Sequence, residues 1–195
     1  MLSLPLKPQH YIAPFCLVII SLLLAIIGPA SGELLAYNRI EITHGQIWRI
    51  ITGHFLHTNF IHFLLNMAGL LLLWALHGQY YKSKQYLFIV FLLCIGTSTG
   101  LYFFSPSLHW YVGLSGVLHG LFVLGAYFDI RAQLKTGWIL LLGVWVKVLH
   151  EQIYGASEDV AKLIDATVAI DAHLFGVLSG SVIIFYYMLT LKKKH

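Results

Sequence analysis

The 195-residue chain is 58% hydrophobic and 10% charged, with a mean hydropathy of +0.79. A soluble domain of this composition would expose large apolar patches, so the chain is predicted to be an all-α membrane protein. Its formal charge of +4 does not predict a nucleic-acid partner, because the basic residues lie in short loops and at the C-terminus. Cys16 and Cys94 lie in apolar runs, which favours packing over a disulfide framework.

Apolar stretches long enough to cross a bilayer recur along the chain. Spans are predicted at about residues 11–30, 53–76, 85–105, 110–128, 136–154 and 167–191. The first is interpreted as a retained helix, because no small-x-small cleavage site with a soluble segment behind it follows. Neither a repeat nor a low-complexity linker divides the chain, so residues 1–195 are predicted to form a single six-span bundle.

The orientation follows from the basic residues. An even number of spans places both termini on one side of the lipid bilayer. Eight of the 12 basic residues would lie on that side: Lys7, Lys82, Lys84, Arg131, Lys135, Lys192, Lys193 and Lys194. The positive-inside rule therefore predicts cytoplasmic termini. On the opposite side, residues 31–52 are expected to lie in the membrane interface, and residues 152–166 are expected to form a mobile outer loop.

The second span carries a cluster of polar side chains at its entrance: His54, His57, Asn59, His62 and Asn66. His62 and Asn66 are four residues apart and therefore share one helix face. Polar residues inside spans usually face the bundle interior and indicate function. The alternative for any one of them is a hydrogen bond between helices.

The fourth span contains Gly113-Leu114-Ser115-Gly116, and a serine in such a helix is most often a packing residue. Gly116 and Gly120 form a small-xxx-small pattern, however, and Gly176 with Gly180 repeats that pattern in the sixth span. If the two helices pack through these glycines, Ser115 meets His173 at a similar depth in the membrane.

A serine and an imidazole at this position indicate nucleophilic catalysis with His173 as general base. The Asn66 amide, the His62 ring and a backbone N–H near Ser115 are candidate donors to an oxyanion. Asp171 lies two residues before His173, on nearly the opposite helix face, so it is given an interfacial role. We therefore expect a Ser-His dyad without a carboxylate, and neither a metal nor a cofactor.

Lys147 and Glu151 are four residues apart in the fifth span. A structural ion pair is one interpretation. The other is a polar patch that helps to admit a substrate segment.

Several motifs together resemble the rhomboid intramembrane serine proteases over nearly the whole chain. In chain order they are Trp48-Arg49, His57, His62-x-x-x-Asn66, Gly113-x-Ser115-Gly116 and Ala172-His173-x-x-Gly176. The resemblance implies that Ser115 is the nucleophile and His173 the base. It places His62, Asn66, Gly113 and His57 on the oxyanion and substrate side, and Trp48 and Arg49 in a membrane-embedded first loop.

His119 stands where rhomboids often carry a tyrosine packed on the catalytic histidine. With the short six-span length, this is most similar to the rhombosortase branch. That branch implies membrane-anchored substrates with a C-terminal Gly-Gly motif, an apolar helix and a basic tail, cut at the outer face of a bacterial inner membrane. A general rhomboid that cleaves single-span proteins is the alternative.

Other classes of protein remain as alternatives. His54-x-x-His57 among 11 histidines suggests a zinc-dependent membrane hydrolase, although no helix carries a His-Glu-x-x-His motif. A haem-binding helical bundle would use histidine pairs across spans. A non-catalytic binder of membrane helices would be expected to have lost the serine or the histidine.

Overall fold

The computed structural model describes residues 4–192, with side chains up to 190. Six long helices form the bundle: α1 (Pro8–Ile27), α5 (Phe60–His77), α6 (Ser83–Phe104), α7 (Ser115–Arg131), α8 (Thr136–Tyr154) and α10 (Ile170–Lys192). Shorter elements join them: α2 (Pro29–Leu35), β1 (Tyr37–Asn38), α3 (Arg39–Thr43), α4 (Arg49–Thr52), β2 (Trp110–Tyr111) and α9 (Glu158–Ile164).

Among residues 4–192, four helical segments are long and apolar enough to cross a membrane. They are Pro8–Ile27, Phe60–Tyr80, Ser83–Phe104 and Ile170–Thr190. The remaining long helices, α7 with 17 residues and α8 with 19, are not among them, so length and hydropathy do not establish the predicted count of six. Of the lysines used for orientation, Lys193 and Lys194 lie outside the described residues, as does the side chain of Lys192.

Two predicted spans begin later than expected. The second starts at Phe60 rather than near residue 53, because Gly53–Phe55 forms a 3₁₀ turn. The Asn59 side chain then caps α5 by accepting the His62 N–H at 2.8 Å. The fourth starts at Ser115, because residues 110–111 form β2, which pairs antiparallel with β1.

Helix α7 lies at the centre of the bundle, packed against α10. A Cβ added at Gly116 would lie 2.7 Å from the carbonyl oxygen of Ala172, and one added at Gly120 would lie 2.8 Å from that of Gly176. On α10, a Cβ at Gly180 would lie 2.7 Å from the Gly120 carbonyl. The backbones are therefore too close for any larger residue, which confirms the predicted packing through glycines.

The segment expected to be a mobile outer loop contains the helix α9. The Thr58 hydroxyl donates to the Ile164 carbonyl at 2.5 Å, and the Asn59 amide donates to that of Leu163 at 3.0 Å. These bonds connect the end of α9 to the start of α5. Apolar residues of α9 could not be told from loop residues by sequence, because one seven-residue helix has too few turns for a pattern.

Candidate active site

Ser115 and His173 meet as the sequence predicted. Ser115 is the first residue of α7, and His173 lies one turn into α10. The serine Oγ is 3.0 Å from His173 Nε2, within hydrogen-bonding distance for proton transfer. The imidazole is buried, at 5% exposure, because the glycine contacts bring α10 against α7.

A carboxylate contacts the histidine on the side away from the serine, where the sequence led us to expect none. Glu151 Oε2 lies 2.8 Å from His173 Nδ1, the ring nitrogen that faces away from Ser115. Asp171, the carboxylate nearest in sequence, accepts a hydrogen bond from the Ser105 hydroxyl instead. The contact was not predicted because the sequence shows that Glu151 shares a helix face with Lys147, but not which neighbouring helix that face contacts.

Lys147 and His119 complete a polar group around this contact. Lys147 Nζ lies 2.8 Å from Glu151 Oε2, 2.8 Å from His119 Nε2 and 3.2 Å from His173 Nδ1. The His119 ring stacks on that of His173, with centroids 4.2 Å apart and planes 20° apart. The ion pair predicted between Lys147 and Glu151 is therefore present, and it contacts the histidine beside the serine.

His62 and Asn66 face the same site from α5. His62 Nδ1 lies 3.3 Å from the Thr58 backbone nitrogen, whose N–H donates, and 3.1 Å from the Thr58 hydroxyl oxygen, whose hydrogen goes to Ile164. In the tautomer that accepts the Thr58 N–H at Nδ1, Nε2 carries the hydrogen. A Cβ on Gly113 would lie 3.0 Å from that Nε2 atom. Gly113 has φ of +129°, a conformation that favours glycine. Thr58 was not predicted from the sequence, because a threonine before a helix gives no signal that its backbone and hydroxyl will contact a histidine.

A hydrogen bond to the backbone of its own helix orients the Asn66 side chain. Its Nδ2 donates one hydrogen to the His62 carbonyl at 3.2 Å, so the second amide hydrogen is available. Asn66 and His62 both line the cavity beside Ser115. The Asn66 amide and, in the tautomer with the hydrogen on Nε2, the His62 ring thus offer N–H donors to the region in which an oxyanion would form.

His57, which the resemblance placed on the oxyanion and substrate side, reaches the site only through His62, and Trp48 and Arg49 lie in the first loop between α1 and α5, as the resemblance implies. His57 packs the edge of its ring on His62 at 5.1 Å and lines a separate cavity. Arg49 is buried and donates to the carbonyls of Ala36 and Glu33, and Trp48 donates to that of Leu34. Through these bonds Arg49 and Trp48 hold the segment between α1 and α5 together.

An apolar cavity of about 460 Å³ opens beside the serine. Leu65 and Leu72 of α5 line one wall, and Val144 of α8 the other. Ile164 of α9 contributes to the lining near Ser115. A chain with a hydrophobic side can therefore reach the hydroxyl while its polar groups meet the donors described above.

His119, Glu151 and His173 form a set of possible metal ligands, with their ligand atoms within 4.8 Å of one another. The ammonium of Lys147 already lies 2.8–3.2 Å from the same three atoms, and a second cation there would be repelled. His54, proposed as a zinc ligand with His57, instead bonds to Ser98 Oγ at 2.9 Å. Among the described residues, His54 and His57 therefore do not belong to a group of three or more side chains that could hold a zinc ion.

Two comparisons with known proteins point to the same family. The rhomboid domain matches residues 44–190, which include every helix of the site. A relative in Bacillus subtilis (strain 168), YdcA, which is classed as a rhomboid protease, is 26% identical over 76% of this chain and 71% of its own length. The chain therefore belongs to the rhomboid family of intramembrane serine proteases.

Proposed function

We propose that this protein cleaves membrane-anchored proteins near the outer face of the membrane, with Ser115 as nucleophile and His173 as general base. The observation that carries the proposal is the 3.0 Å contact between Ser115 Oγ and His173 Nε2 at the wall of an apolar cavity. A packing serine would not need a buried imidazole at this distance.

In the first step Ser115 Oγ forms a bond to the scissile carbonyl carbon and passes its proton to His173 Nε2. The carbonyl π electrons move to the oxygen, which becomes an oxyanion. The C–N bond then breaks, and His173 gives its proton to the leaving amine. A water molecule then attacks the acyl carbon and gives a proton to the same imidazole. The bond from that carbon to Ser115 Oγ breaks, the imidazolium returns the proton to Oγ, and the new carboxyl terminus leaves.

The oxyanion is bound by donors from α5. We assign His62 the tautomer with its hydrogen on Nε2, which accepts the Thr58 N–H at Nδ1. That N–H and the second Asn66 amide hydrogen face the cavity, and neither donates to another described residue. Such fixed donors stabilise the tetrahedral intermediate more than the planar substrate, because negative charge develops on the oxygen only as the bond forms.

For the substrates, we infer rhombosortase-like tails: a C-terminal Gly-Gly motif followed by an apolar helix and a basic end. Two features support this inference. A narrow cavity of about 160 Å³ adjoins Ser115 and His62, and glycines would enter it with the least obstruction. His119 occupies the position of the usual tyrosine and stacks on His173.

For the topology, we infer six spans and cytoplasmic termini in a bacterial inner membrane. The short α7 is surrounded by other helices and its residues are mostly buried, so it needs little lipid-facing length. In α8 Lys147 lines the cavity and its partner Glu151 contacts His173, so both charges have polar neighbours, where charge is less costly than in lipid. Reporter fusions after α6, α7 and α8 test the arrangement, because the fusion after α7 should lie on the cytoplasmic side and the other two on the outer side.

The serine mechanism is tested with a fluorophosphonate probe on the purified protein in detergent. The probe should label the wild type, lose labelling in Ser115→Ala and label His173→Ala at least a hundredfold more slowly. Ser181→Ala is the matched control, because Ser181 donates to its own helix at Val177. Labelling that persists in Ser115→Ala contradicts the proposal, as does activity that a zinc chelator abolishes.

The substrate class is tested by co-expression with a membrane-anchored reporter that ends in Gly-Gly, an apolar helix and lysines. A second reporter carries Val-Val instead of Gly-Gly. Cleavage of the first alone, absent with Ser115→Ala, is expected. Equal cleavage of both reporters would support the general rhomboid reading and contradict the Gly-Gly preference.

A further inference from the structure

The hydrogen bonds around His173 determine which of its nitrogens carries the hydrogen. The argument starts at the Ser115 backbone carbonyl, which can only accept and lies 2.7 Å from His119 Nδ1. His119 Nδ1 must therefore be the protonated nitrogen. In the neutral ring His119 Nε2 is then an acceptor, which matches the donor Lys147 Nζ at 2.8 Å.

Lys147 donates a further hydrogen to Glu151 Oε2 at 2.8 Å. A carboxylate next to an ammonium is stabilised in its ionised form and can only accept. His173 Nδ1, 2.8 Å from the same oxygen, must therefore be a donor. Lys147 Nζ and His173 Nδ1 lie 3.2 Å apart because both donate to the same acceptor, Glu151 Oε2.

With the hydrogen on Nδ1, the lone pair of His173 is on Nε2, facing Ser115 Oγ. The opposite tautomer would place a lone pair against the Glu151 carboxylate and an N–H against Ser115 Oγ. The serine would then have no acceptor on His173 for its proton. Glu151 therefore selects the form of the imidazole that works as a base. Once the serine proton arrives, the imidazolium also lies 2.8 Å from a negative charge.

We propose that Glu151 is a positioning residue that completes a Ser-His-Glu triad, held in place by Lys147, which also donates to His119. The inference rests on the proposed function, since it assigns Glu151 a role in the base chemistry of His173. The i, i+4 spacing of Lys147 and Glu151 on α8 serves this role, because one helix face presents both charges to α10. Lys147 is 45% exposed and Glu151 is 13% exposed, so the carboxylate is the more enclosed partner.

The test is a double-mutant cycle of Glu151→Gln and His173→Ala, with kcat and KM measured on a quenched membrane-anchored peptide. Glutamine keeps the size of the side chain but can present its amide hydrogens to Nδ1 and so favour the wrong tautomer. In the wild-type background Glu151→Gln should lower kcat by about 10²- to 10⁴-fold with KM within threefold. In the His173→Ala background it should change the residual rate less than threefold, because its effect passes through the imidazole.

Glu158→Gln is the matched control. Glu158 lies on α9 with its side chain 90% exposed, and its variant should match the wild type in kcat and KM. If Glu151→Gln does not give folded protein, Glu151→Asp replaces it in the cycle, because aspartate keeps the charge but has a shorter side chain. A loss of kcat is again expected in the protein that retains His173 and not in His173→Ala.

Two results would overturn the triad. One is a kcat for Glu151→Gln within threefold of the wild type, and the other is an equal loss in both backgrounds, which indicates a structural role only. Both are distinct from a failure of the serine mechanism itself, which would show as full activity in Ser115→Ala.

Discussion

Two imidazole–carboxylate pairs lie near opposite ends of α7. The serine network (Ser115, His119, Lys147, Glu151 and His173) surrounds the start of α7. The distal cluster (His77, Tyr80 and Asp129) lies where α5 and α7 end. In the distal cluster His77 Nε2 is 3.2 Å from Asp129 Oδ2, and the Tyr80 hydroxyl donates to Oδ1 at 2.7 Å.

The difference between them is where each chain of hydrogen bonds ends. Both oxygens of Asp129 have protein partners, and the His77 ring packs so tightly on Gly125 that a Cβ there would have no room. The serine network instead ends at a hydroxyl that lines a cavity of about 460 Å³. A buried imidazole–carboxylate pair is thus equally suited to holding helices together or to chemistry, and access to an open cavity distinguishes the two.

The largest loss of activity is expected when the proposed oxyanion donors, His62 and Asn66, are removed from the cavity side of the serine network. His62→Ala or Asn66→Ala should each lower kcat by about 10²- to 10³-fold with little change in thermal unfolding, because each donor acts mainly on developing charge. His57→Ala is the control, since His57 contacts the edge of His62 and does not line the main cavity. A loss in His57→Ala as large as in His62→Ala would contradict the assignment, as would a change confined to KM.

Gly176→Ala tests whether the helix packing that serves the serine network is as tight as the backbone indicates. The added methyl would meet the Gly116 backbone, so α10 must shift away from α7. We expect a loss of about 1–3 kcal/mol in the free energy of unfolding and at least a tenfold loss of cleavage, since His173 moves with α10. Gly32→Ala is the control, because nothing lies within 4 Å of a Cβ there.

Asp129→Leu tests the distal cluster. It leaves the Tyr80 hydroxyl and His77 without their shared acceptor, which should cost about 1–3 kcal/mol of unfolding free energy. In the fraction that remains folded, kcat should stay within threefold of the wild type, measured by cleavage below the unfolding transition. A hundredfold loss of kcat in folded protein would mean that the two regions are not independent.

The smallest effect is expected for inhibition by zinc, because three side chains of the serine network are spaced like the ligands of a metal ion. In Lys147→Met the ammonium no longer occupies the space among His119, Glu151 and His173, whose ligand atoms lie within 4.8 Å of one another. Micromolar Zn²⁺ should then inhibit the variant about tenfold more strongly than the wild type, reversibly with a chelator. Equal sensitivity of both proteins would show that Lys147 does not protect the site.

Much of the site could be predicted from residue spacing alone. Paired glycines at Gly116, Gly120, Gly176 and Gly180 indicate a close helix contact, and that contact determines where Ser115 meets His173. His62 and Asn66 follow in the same way from their spacing of four residues on one helix. In each case a local pattern carries the information, because helix geometry converts spacing into direction.

The remaining features depend on how one helix is rotated against another. Glu151 reaches His173 because of the rotation of α8, and α8 has apolar residues on most sides, so its pattern does not show which face meets α10. Likewise Trp110–Tyr111 reads as part of an apolar span, and only its pairing with Tyr37–Asn38 makes it a strand.

The position of His173 on the last helix has a consequence for biosynthesis. Ser115 and His173 are 58 residues apart in the chain, and ribosomes add about 5–20 residues per second. For several seconds after α7 emerges, its hydroxyl has no His173 to take its proton. With Ser115 and His173 in their proposed roles, the protein stays inert while its own helices enter the bilayer, and its activity begins only when the final helix docks.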